Sequence, residues 1–334
     1  MRFLRCSISK IPEKNNKKIS IIGAGPAGLG AAGYLACLGY ELNIYDAHPE
    51  PGGLLMFGIP EYRVAKEGIR QGVKELASTG RIVFKTGFYA ESDAEIEKAM
   101  DGADALLIAT GTLRTRKLGI PCEESPQVFP AVEWLIDYHR AKLGYKPMFG
   151  YSSFKLKDPV AVIGGGLTAA DAAQISSVEL GLKTIIIYRR TKSVAPMGAS
   201  EATRLEKEGA KFLENLQPKE FLCDREKNLL GGIFYKTMLS GNSREAPLIY
   251  VGEVKVDFYT AMNAAGAKPT PPPGIEKLGV KMKEDGTIIV NNSWMTDAKG
   301  IFAAGDVAIG PSKIGLALKS GIDAAVSIDK FLTH

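Results

Sequence analysis

The sequence is poor in features that would identify several common classes of protein. None of its apolar runs reaches the roughly 18 residues that a membrane span needs. Residues 1–18 mix basic and polar side chains and lack the apolar core of a secretory signal, so we expect a cytoplasmic protein. Histidine occurs only three times, and neither a GxSxG nor an HExxH motif is present. We therefore expect no hydrolytic triad and no metal site.

Cysteine is also sparse. The four cysteines are Cys6, Cys37, Cys122 and Cys223. No two of them have the spacing of a CxxC redox pair, a zinc knuckle or an iron–sulfur ligand run. We interpret each of them as a small buried hydrophobic side chain.

What remains is the composition of an ordinary globular protein, with 45% hydrophobic and 24% charged residues. At about 100–200 residues per domain, the length of 334 residues predicts about two domains. The formal net charge is +5, and the basic residues are dispersed along the chain. This charge allows an acidic partner but does not indicate a nucleic-acid-binding protein.

The most informative feature is a pattern that occurs twice, about 140 residues apart. Each copy consists of a buried strand, a glycine-rich turn, an apolar helix and a second strand. The first copy has strands at 18–22 and 41–46, and the second has strands at 159–163 and 184–188. Such βαβ units are typical of dinucleotide-binding domains and predict an α/β fold.

Other segments predict further elements around the two copies. These are a helix at 64–77, strands at 105–109, 220–222 and 233–236, a strand running into a turn at 300–306, and a final helix at 314–332. The proline-rich segment 268–274 can form neither a helix nor a central strand, so we expect a surface crossover there.

The first glycine-rich turn has the residues that a bound pyrophosphate requires. Gly23 permits a tight turn, Gly25 lets the backbone approach the pyrophosphate, and Gly28 lets the helix pack closely on the strand. Free N–H groups at the helix start favour the anion. Asp46 ends the second strand, where a carboxylate accepts hydrogen bonds from a ribose. This suits FAD or NAD; the alternative is a purely structural glycine-rich turn.

The second turn, with Gly164 and Gly166, differs at the end of its second strand. Arg189 and Arg190 stand where the first copy has an acid. A ribose 2′-phosphate is an anion, so cations at this place favour NADPH. Two charge-assisted hydrogen bonds of about 1.5–3 kcal/mol each correspond to a preference of about 10²- to 10⁴-fold. The alternative is an ordinary basic strand end.

Further segments resemble the small subunit of glutamate synthase and its relatives. The most specific block is GGLLMFGIPEYR at 52–63, and the segments at 109–111, 164–173, 188–190 and 300–306 follow in the expected order. The resemblance implies an α/β fold of two Rossmann-like domains, with an NADPH domain inserted into an FAD domain. We therefore expect an FAD-binding domain at 1–120 and 255–334 and an NADPH-binding domain at 121–254.

The resemblance also implies a function and a set of cofactor contacts. The expected function is a flavin-dependent oxidoreductase that moves electrons between NADPH and an iron–sulfur protein such as ferredoxin, or a larger enzyme subunit. Because hydride passes directly between nicotinamide and flavin, no catalytic acid or base is expected. The implied FAD contacts are Gly23, Gly25, Pro26, Ala27, Gly28, Asp46, Gly53, Leu54, Arg63, Gly111, Gly305, Asp306 and Ile314. The implied NADPH contacts are Gly164, Gly166, Leu167, Thr168, Ala169, Arg189 and Arg190.

The sequence departs from the family in three ways. Family members commonly have an N-terminal extension whose cysteines bind [4Fe–4S] clusters, whereas this sequence has only Cys6 there, so we expect no cluster. Leu167 stands where the family usually has Asn. The usual A-I-G of the second FAD crossover reads Ala264-Ala265-Gly266. The related thioredoxin reductases need a CxxC near the second turn, and its absence here disfavours disulfide reduction. Two other functions stay open: a stand-alone NAD(P)H oxidase or reductase with a small acceptor, and a non-catalytic nucleotide-binding subunit. With any of these functions, the protein could form a homo- or hetero-oligomer.

Several single residues carry weaker predictions. We interpret His48 as a solvated loop residue, and Trp134 and Trp294 as packing residues. Lys319 is expected to be a surface lysine. The three acidic residues Glu201, Glu206 and Glu208 are expected to form a solvated helix face.

Overall fold

The computed structural model describes residues 1–151, 156–241 and 246–334. Helices alternate with parallel strands over these ranges, which confirms the predicted α/β class. Within them, no helix has both the length and the apolar character that a bilayer crossing requires. Nor does this part of the chain contain a group of three or more His, Cys, Asp or Glu side chains that could hold a metal ion.

The described chain divides into two compact units. The first unit comprises residues 1–113 and 268–334, and the second comprises residues 114–267. The second unit is therefore an insertion in the sequence of the first. The short strands β5 (Arg114–Thr115) and β14 (Ala267–Lys268), which pair with each other, lie at the two crossing points of the chain.

The limits of the units differ from the domain boundaries expected at 120/121 and 254/255. Residues 114–120 and 255–267 belong to the second unit. The reason is a strand that the sequence analysis did not identify, β13 (Thr260–Asn263). It runs parallel to β6 (Val128–Pro130) and β7 (Val160–Ile163) and is part of the second unit's sheet.

The first unit contains a five-stranded parallel sheet. Its strands are β1 (Lys18–Ile22), β2 (Glu41–Asp46), β3 (Ile82–Thr86), β4 (Ala105–Ile108) and β15 (Ile301–Ala303), in the order β15-β4-β1-β2-β3. β1 and β2 have the predicted bounds, because both are buried apolar runs that end at a glycine or a turn. The strand that runs into a turn at 300–306 is confirmed, since β15 ends at Ala303 and the chain turns before Asp306 begins a helix.

Six helices of the described chain belong to this unit. They are α1 (Pro26–Cys37), α2 (Leu54–Phe57), α3 (Lys66–Ala77), α4 (Asp93–Met100), α8 (Asp306–Ile309) and α9 (Ile314–Thr333). α1 and α9 approach each other so closely that glycine is needed on both. A Cβ on Gly321 would lie 2.0 Å from the Ala27 carbonyl oxygen, and one on Gly30 would lie 2.8 Å from the Leu318 side chain. This contact fixes the last helix against the first glycine-rich turn.

The second unit contains a second five-stranded parallel sheet. Its strands are β6, β7, β8 (Thr184–Ile187), β9 (Lys211–Leu213) and β13, in the order β6-β13-β7-β8-β9. Its helices are α5 (Ala131–Lys142), α6 (Leu167–Gln174), which continues as a π-helix over Ile175–Glu179, and α7 (Ala199–Lys207). Trp134 is fully buried and stacks on Tyr138, which confirms its predicted packing role.

The second unit also has a three-stranded antiparallel sheet. Its strands are β10 (Leu216–Cys223), β11 (Leu229–Leu239) and β12 (Leu248–Val256), in that order. The stretches predicted at 220–222 and 233–236 are parts of these longer strands. Phe221, Phe234 and Phe258 form a buried aromatic group beneath the sheet.

The cysteines form two disulfide bonds, so the prediction of four isolated buried cysteines is wrong. Cys6 pairs with Cys37, and Cys122 pairs with Cys223, with Cα–Cα distances of 5.8 Å and 6.4 Å. The partners are 31 and 101 residues apart in the sequence. Spacing motifs consider only near neighbours, whereas these pairs are brought together by the tertiary fold. Each bond lies within one unit.

One surface prediction also needs correction. The crossover at 268–274 is not simply a surface segment, because Pro269 and Pro272 are buried. The three acidic residues on α7 and at its end form ion pairs: Glu201 and Glu208 with Arg204, and Glu206 with Lys192. Lys319 is exposed as predicted, and Trp294 is half-buried.

Candidate dinucleotide-binding sites

The first glycine-rich turn requires glycine at two positions for steric reasons. Gly23 has a φ of +110°, and a Cβ there would lie 2.3 Å from the Ala109 carbonyl oxygen. A Cβ on Gly28 would lie 1.9 Å from the Gly23 carbonyl oxygen. The turn therefore brings the start of α1 into backbone contact with the end of β1, as predicted from the sequence.

Gly25 has a different role. It is the N-cap residue of α1, and a Cβ placed on it would meet nothing within 4 Å. Open space therefore lies beside the first turn of a twelve-residue helix that begins with Pro26. The first N–H groups of a helix have no partner within the helix, and the helix dipole attracts an anion to this end. A pyrophosphate fits this space on charge and on steric grounds.

The GGLLMFGIPEYR block lies against this turn. The Gly52 N–H donates to the Ala24 carbonyl oxygen at 2.8 Å, and a Cβ on Gly53 would lie 2.8 Å from the Gly25 Cα atom. Leu54 then begins α2. Arg63 is half-buried, and its guanidinium lies over the Tyr62 ring at 5.1 Å.

A buried lysine supports the same block. The Lys66 side chain is 4% exposed, and its ammonium group donates to the carbonyl oxygens of Leu55, at 2.7 Å, and Ile59. A buried charge is costly unless it is hydrogen-bonded, so these two bonds hold the α2 turn and the ammonium in one arrangement. Lys66 was not among the predicted site residues, because the segment 64–77 was interpreted only as a helix.

Asp46, at the end of β2, is 7% exposed. Its carboxylate accepts hydrogen bonds from the Ala24 N–H at 2.6 Å and from the His48 N–H at 2.7 Å. One carboxylate has about four acceptor positions, so two are left for ribose hydroxyl groups. Asp46 therefore both closes the glycine-rich turn and keeps the acceptor capacity that the sequence predicts for it.

His48 is not a solvated loop residue. It is 2% exposed, and its ring stacks on Phe57 with 4.6 Å between the ring centroids. The segment after β2 is thereby joined to α2. Tertiary stacking of this kind leaves no periodic signal in the sequence, so the prediction of a solvated histidine was wrong.

Gly305 and Asp306 lie beside the start of α1. A Cβ on Gly305 would lie 2.7 Å from the Ala27 Cβ atom, and the Gly305 N–H donates to Ser320 Oγ at 2.8 Å. The Asp306 carboxylate accepts hydrogen bonds from Ser312 Oγ at 2.6 Å and from Thr112 Oγ1 at 3.4 Å.

Burial raises the pKa of the Asp306 carboxyl, and the hydrogen bonds from Ser312 and Thr112 oppose that shift. Gly111, which has a φ of +68°, directly precedes Thr112, and Ile314 begins α9 two residues after Ser312. The structure therefore groups Gly111, Asp306 and Ile314. The sequence analysis missed the hydroxyl groups of Thr112, Ser312 and Ser320, although the first two flank predicted contacts.

The second glycine-rich turn repeats the plan of the first. Gly164 has a φ of +149°, and a Cβ there would lie 2.4 Å from the Ala264 carbonyl oxygen. Gly165, which was not predicted as a contact, packs on Tyr188, whose ring a Cβ would approach to 2.5 Å. Gly166 is the N-cap of α6, and a Cβ there would meet nothing within 4 Å. Open space again lies at the start of a helix.

The first residues of α6 differ in exposure. Leu167 is 46% exposed, Thr168 is half-buried, and Ala169 is fully buried in the core of the second unit. The protein itself leaves much of the Leu167 side chain uncovered at the helix start. That side chain is thus available to a ligand at this place, although it offers apolar contact rather than the hydrogen bonds of an asparagine.

The two arginines directly follow β8 and Tyr188. Arg189 is exposed, and Arg190 is half-buried. The Arg190 Nε atom is buried and has no hydrogen-bond partner among the described residues. None of the ion pairs recorded between described residues involves either arginine, whereas the neighbouring Lys192 is paired with Glu206 at 2.6 Å. A cation with an unused buried donor fits a phosphate ligand.

Comparisons with known proteins agree with this geometry. The family model for pyridine nucleotide-disulphide oxidoreductases matches residues 17–325. The chain is 29% identical to the glutamate synthase [NADPH] small chain of Azospirillum brasilense over 320 residues, which cover 94% of this chain and 66% of that protein. It is 30% identical to the glutamate synthase [NADPH] small chain of Halomonas elongata, over 95% of this chain and 68% of that one.

A solved structure shows the same fold. Mycobacterium tuberculosis FprA in complex with NADPH superposes with a TM-score of 0.80 at 19% identity, over 95% of this chain and 84% of that one.

The chain spans about two thirds of the length of its glutamate synthase relatives. It belongs to the pyridine nucleotide-disulphide oxidoreductase family, among the glutamate synthase small chains and their relatives.

Proposed function

We propose that this protein is an NADPH-dependent FAD oxidoreductase that moves electrons between NADPH and an iron–sulfur protein or a larger partner subunit. FAD is assigned to the first unit and NADPH to the second. The observation that carries the proposal is the difference between two similar βαβ units: one ends its second strand in Asp46, the other in Arg189 and Arg190.

Three features support FAD in the first unit. The space beside Gly25 accepts a pyrophosphate, and Asp46 has acceptor capacity for the ribose. Asp306, with Thr112 and Ser312 around it, offers a polar group beside the same helix start. The block at 52–63 and the start of α9 would lie along the rest of the cofactor, with Arg63 and Ile314 as contacts.

The arginine pair supports NADPH in the second unit. Gly166 leaves room for the pyrophosphate at the start of α6, and Arg189 and Arg190 offer two cations, of which Arg190 has a buried Nε atom without a hydrogen-bond partner among the described residues. The names of both glutamate synthase relatives specify NADPH, and FprA was solved with NADPH bound. Leu167 and Thr168 would contact the coenzyme next to the glycine-rich turn.

When bound, FAD would take a hydride from the nicotinamide and release the two electrons one at a time. The contribution of the protein to this step is binding and orientation, so no side chain needs to act as acid or base. The first turn of α9, which begins at Ile314, would direct N–H groups toward the negative charge of the reduced flavin.

The partner follows from the relatives. Each glutamate synthase relative is the small chain of an enzyme that has more than one kind of subunit, and this chain spans about two thirds of their length. The words "small chain" support a larger subunit as the partner, and the family resemblance implies an iron–sulfur centre, in that subunit or in ferredoxin, as the acceptor. The net charge of +5 favours an acidic carrier.

An anaerobic titration of the FAD-loaded protein with NADPH and, separately, with NADH tests the proposal. We expect the flavin absorbance to bleach at an NADPH concentration at least about tenfold below that of NADH. Equal bleaching by both would remove the NADPH assignment. No bleaching by either would favour a nucleotide-binding subunit. Rapid reoxidation by air without stimulation by added ferredoxin would favour an oxidase with a small acceptor.

A further inference from the structure

The backbone that carries the two arginines is held by the antiparallel sheet. β8 ends at Ile187, so the arginines lie beyond its ladder of hydrogen bonds. The Leu216 N–H donates to the Tyr188 carbonyl oxygen at 3.0 Å, and the Asn215 N–H donates to the Arg190 carbonyl oxygen at 3.2 Å. Leu216 begins β10, and Asn215 directly precedes it.

The carbonyl group between these two, that of Arg189, is bonded by a side chain. Thr237, on β11, is 2% exposed, and its hydroxyl donates to the Arg189 carbonyl oxygen at 2.7 Å. Its own N–H donates to the Asn215 carbonyl oxygen at 2.8 Å. Thr237 therefore contacts one arginine directly and supports the residue that holds the other.

Such a clamp matters because arginine is a long side chain. Two guanidinium groups can meet one phosphate only if their Cα atoms and backbone directions are fixed, and a misplacement of about 1 Å can cost a large factor in binding. Asn215, with a φ of +58°, adopts a left-handed conformation that few residues tolerate. The local structure is thus specialised where it supports the arginines.

We propose that Thr237 is a positioning residue for coenzyme selectivity, which acts by fixing the backbone of Arg189 and, through Asn215, that of Arg190. This inference rests on the proposed NADPH site. It gives the antiparallel sheet and the residue before it a function. Their hydroxyl and N–H donors hold residues 188–190, which follow β8 of the parallel sheet.

The test measures binding of two ligands that differ only in the 2′-phosphate, 2′,5′-ADP and 5′-AMP, by calorimetry on the FAD-loaded protein. Thr237→Val removes the hydroxyl and keeps the shape of the side chain. We expect the affinity for 2′,5′-ADP to fall about tenfold, while that for 5′-AMP changes less than about twofold. Thr237→Ser, which restores a hydroxyl, should recover most of the loss.

Thr260→Val is the matched control. Thr260 is fully buried in the same unit, and its hydroxyl also bonds a backbone carbonyl, that of Lys157, at 2.9 Å. It should lower the melting temperature without changing the ratio of the two affinities. If Thr237→Val and Thr260→Val have the same effect on that ratio, the hydroxyl of Thr237 has only a structural role and the inference is overturned. Thr237→Ala replaces Thr237→Val if the latter does not fold.

A double-mutant cycle separates this inference from the proposed function. Replacing Arg189 and Arg190 by Ala should remove the preference for 2′,5′-ADP, and adding Thr237→Val should then change nothing further. If the arginine variant keeps the preference, the NADPH site itself is wrong, and the inference is overturned with it. If the arginine variant loses the preference but Thr237→Val keeps it, the NADPH site stands and the positioning role of Thr237 is refuted.

Discussion

Two glycines of the first turn, only three residues apart, should respond to alanine in opposite ways. A Cβ on Gly28 would lie 1.9 Å from a backbone oxygen, whereas one on Gly25 would meet nothing within 4 Å. Gly25 has a φ of −78°, which alanine adopts without strain. The structure therefore predicts a folding defect at one position and a binding defect at the other.

The magnitudes follow from these distances. To restore an ordinary contact, Gly28→Ala must move α1 away from β1 by more than about 1 Å. Overpacking of this kind costs at least about 1–3 kcal/mol, or about 3–10 °C in the melting temperature of a domain this size. Gly25→Ala should change that temperature by less than about 2 °C. If its methyl group breaks one charge-assisted bond to the pyrophosphate, FAD affinity falls about 10- to 100-fold.

The assay uses apoprotein stripped of flavin, with melting measured first and FAD titrated afterwards by quenching of flavin fluorescence. Gly166→Ala is the matched control, because its Cβ would also enter open space, but at the start of α6 in the other unit. It should leave FAD affinity unchanged. If Gly25→Ala binds FAD within about threefold of the unmodified protein, the cofactor does not use this space and the reasoning is refuted.

Three further predictions concern other parts of the molecule. Replacing Arg189 and Arg190 by Ala should lower NADPH affinity about 10²- to 10⁴-fold and leave NADH affinity nearly unchanged in equilibrium titrations; equal losses would contradict the selectivity role. Because burial raises the pKa of Asp306, the contribution of this carboxyl group to the stability of the apoprotein should be lost as the pH rises through that pKa. Asp306→Asn should therefore melt higher at about pH 7, with a gap that closes toward about pH 4; a gap independent of pH would contradict this. Replacing Cys122 and Cys223 by Ala opens a link across 101 residues and should lower the free energy of unfolding by about 2–5 kcal/mol in urea titrations, and an unchanged midpoint would contradict the cross-link.

The parts of the fold that local sequence dictates were predictable. β1 and β2 follow from largely buried runs with a charged first residue, β1 ending at the glycine-rich turn and β2 at Asp46, and their bounds agree with the structure. The close contacts at Gly23 and Gly28 were predicted because only glycine tolerates them, and a Cβ at either position would meet backbone.

The parts that depend on distant contacts were not predictable. The Cys122–Cys223 bond joins residues 101 positions apart, and the burial of His48 depends on Phe57. β13, which moved a domain boundary, has no periodic pattern, since all four of its residues are buried. Thr237 gave no signal either, because its partner is a backbone carbonyl group and not a side chain.

The insertion of the second unit has a consequence for synthesis on the ribosome. The first unit cannot be completed until β15 pairs with β4 and α9 packs on α1, and both elements lie after residue 267. At about 5–20 residues per second, the intervening stretch of roughly 150 residues takes about 8–30 s to translate. Until β15 and α9 are made, the nascent first unit exposes a bare sheet edge and an uncovered helix, whereas the contiguous second unit has all the sequence it needs once residue 267 is made. The inserted unit should therefore mature first.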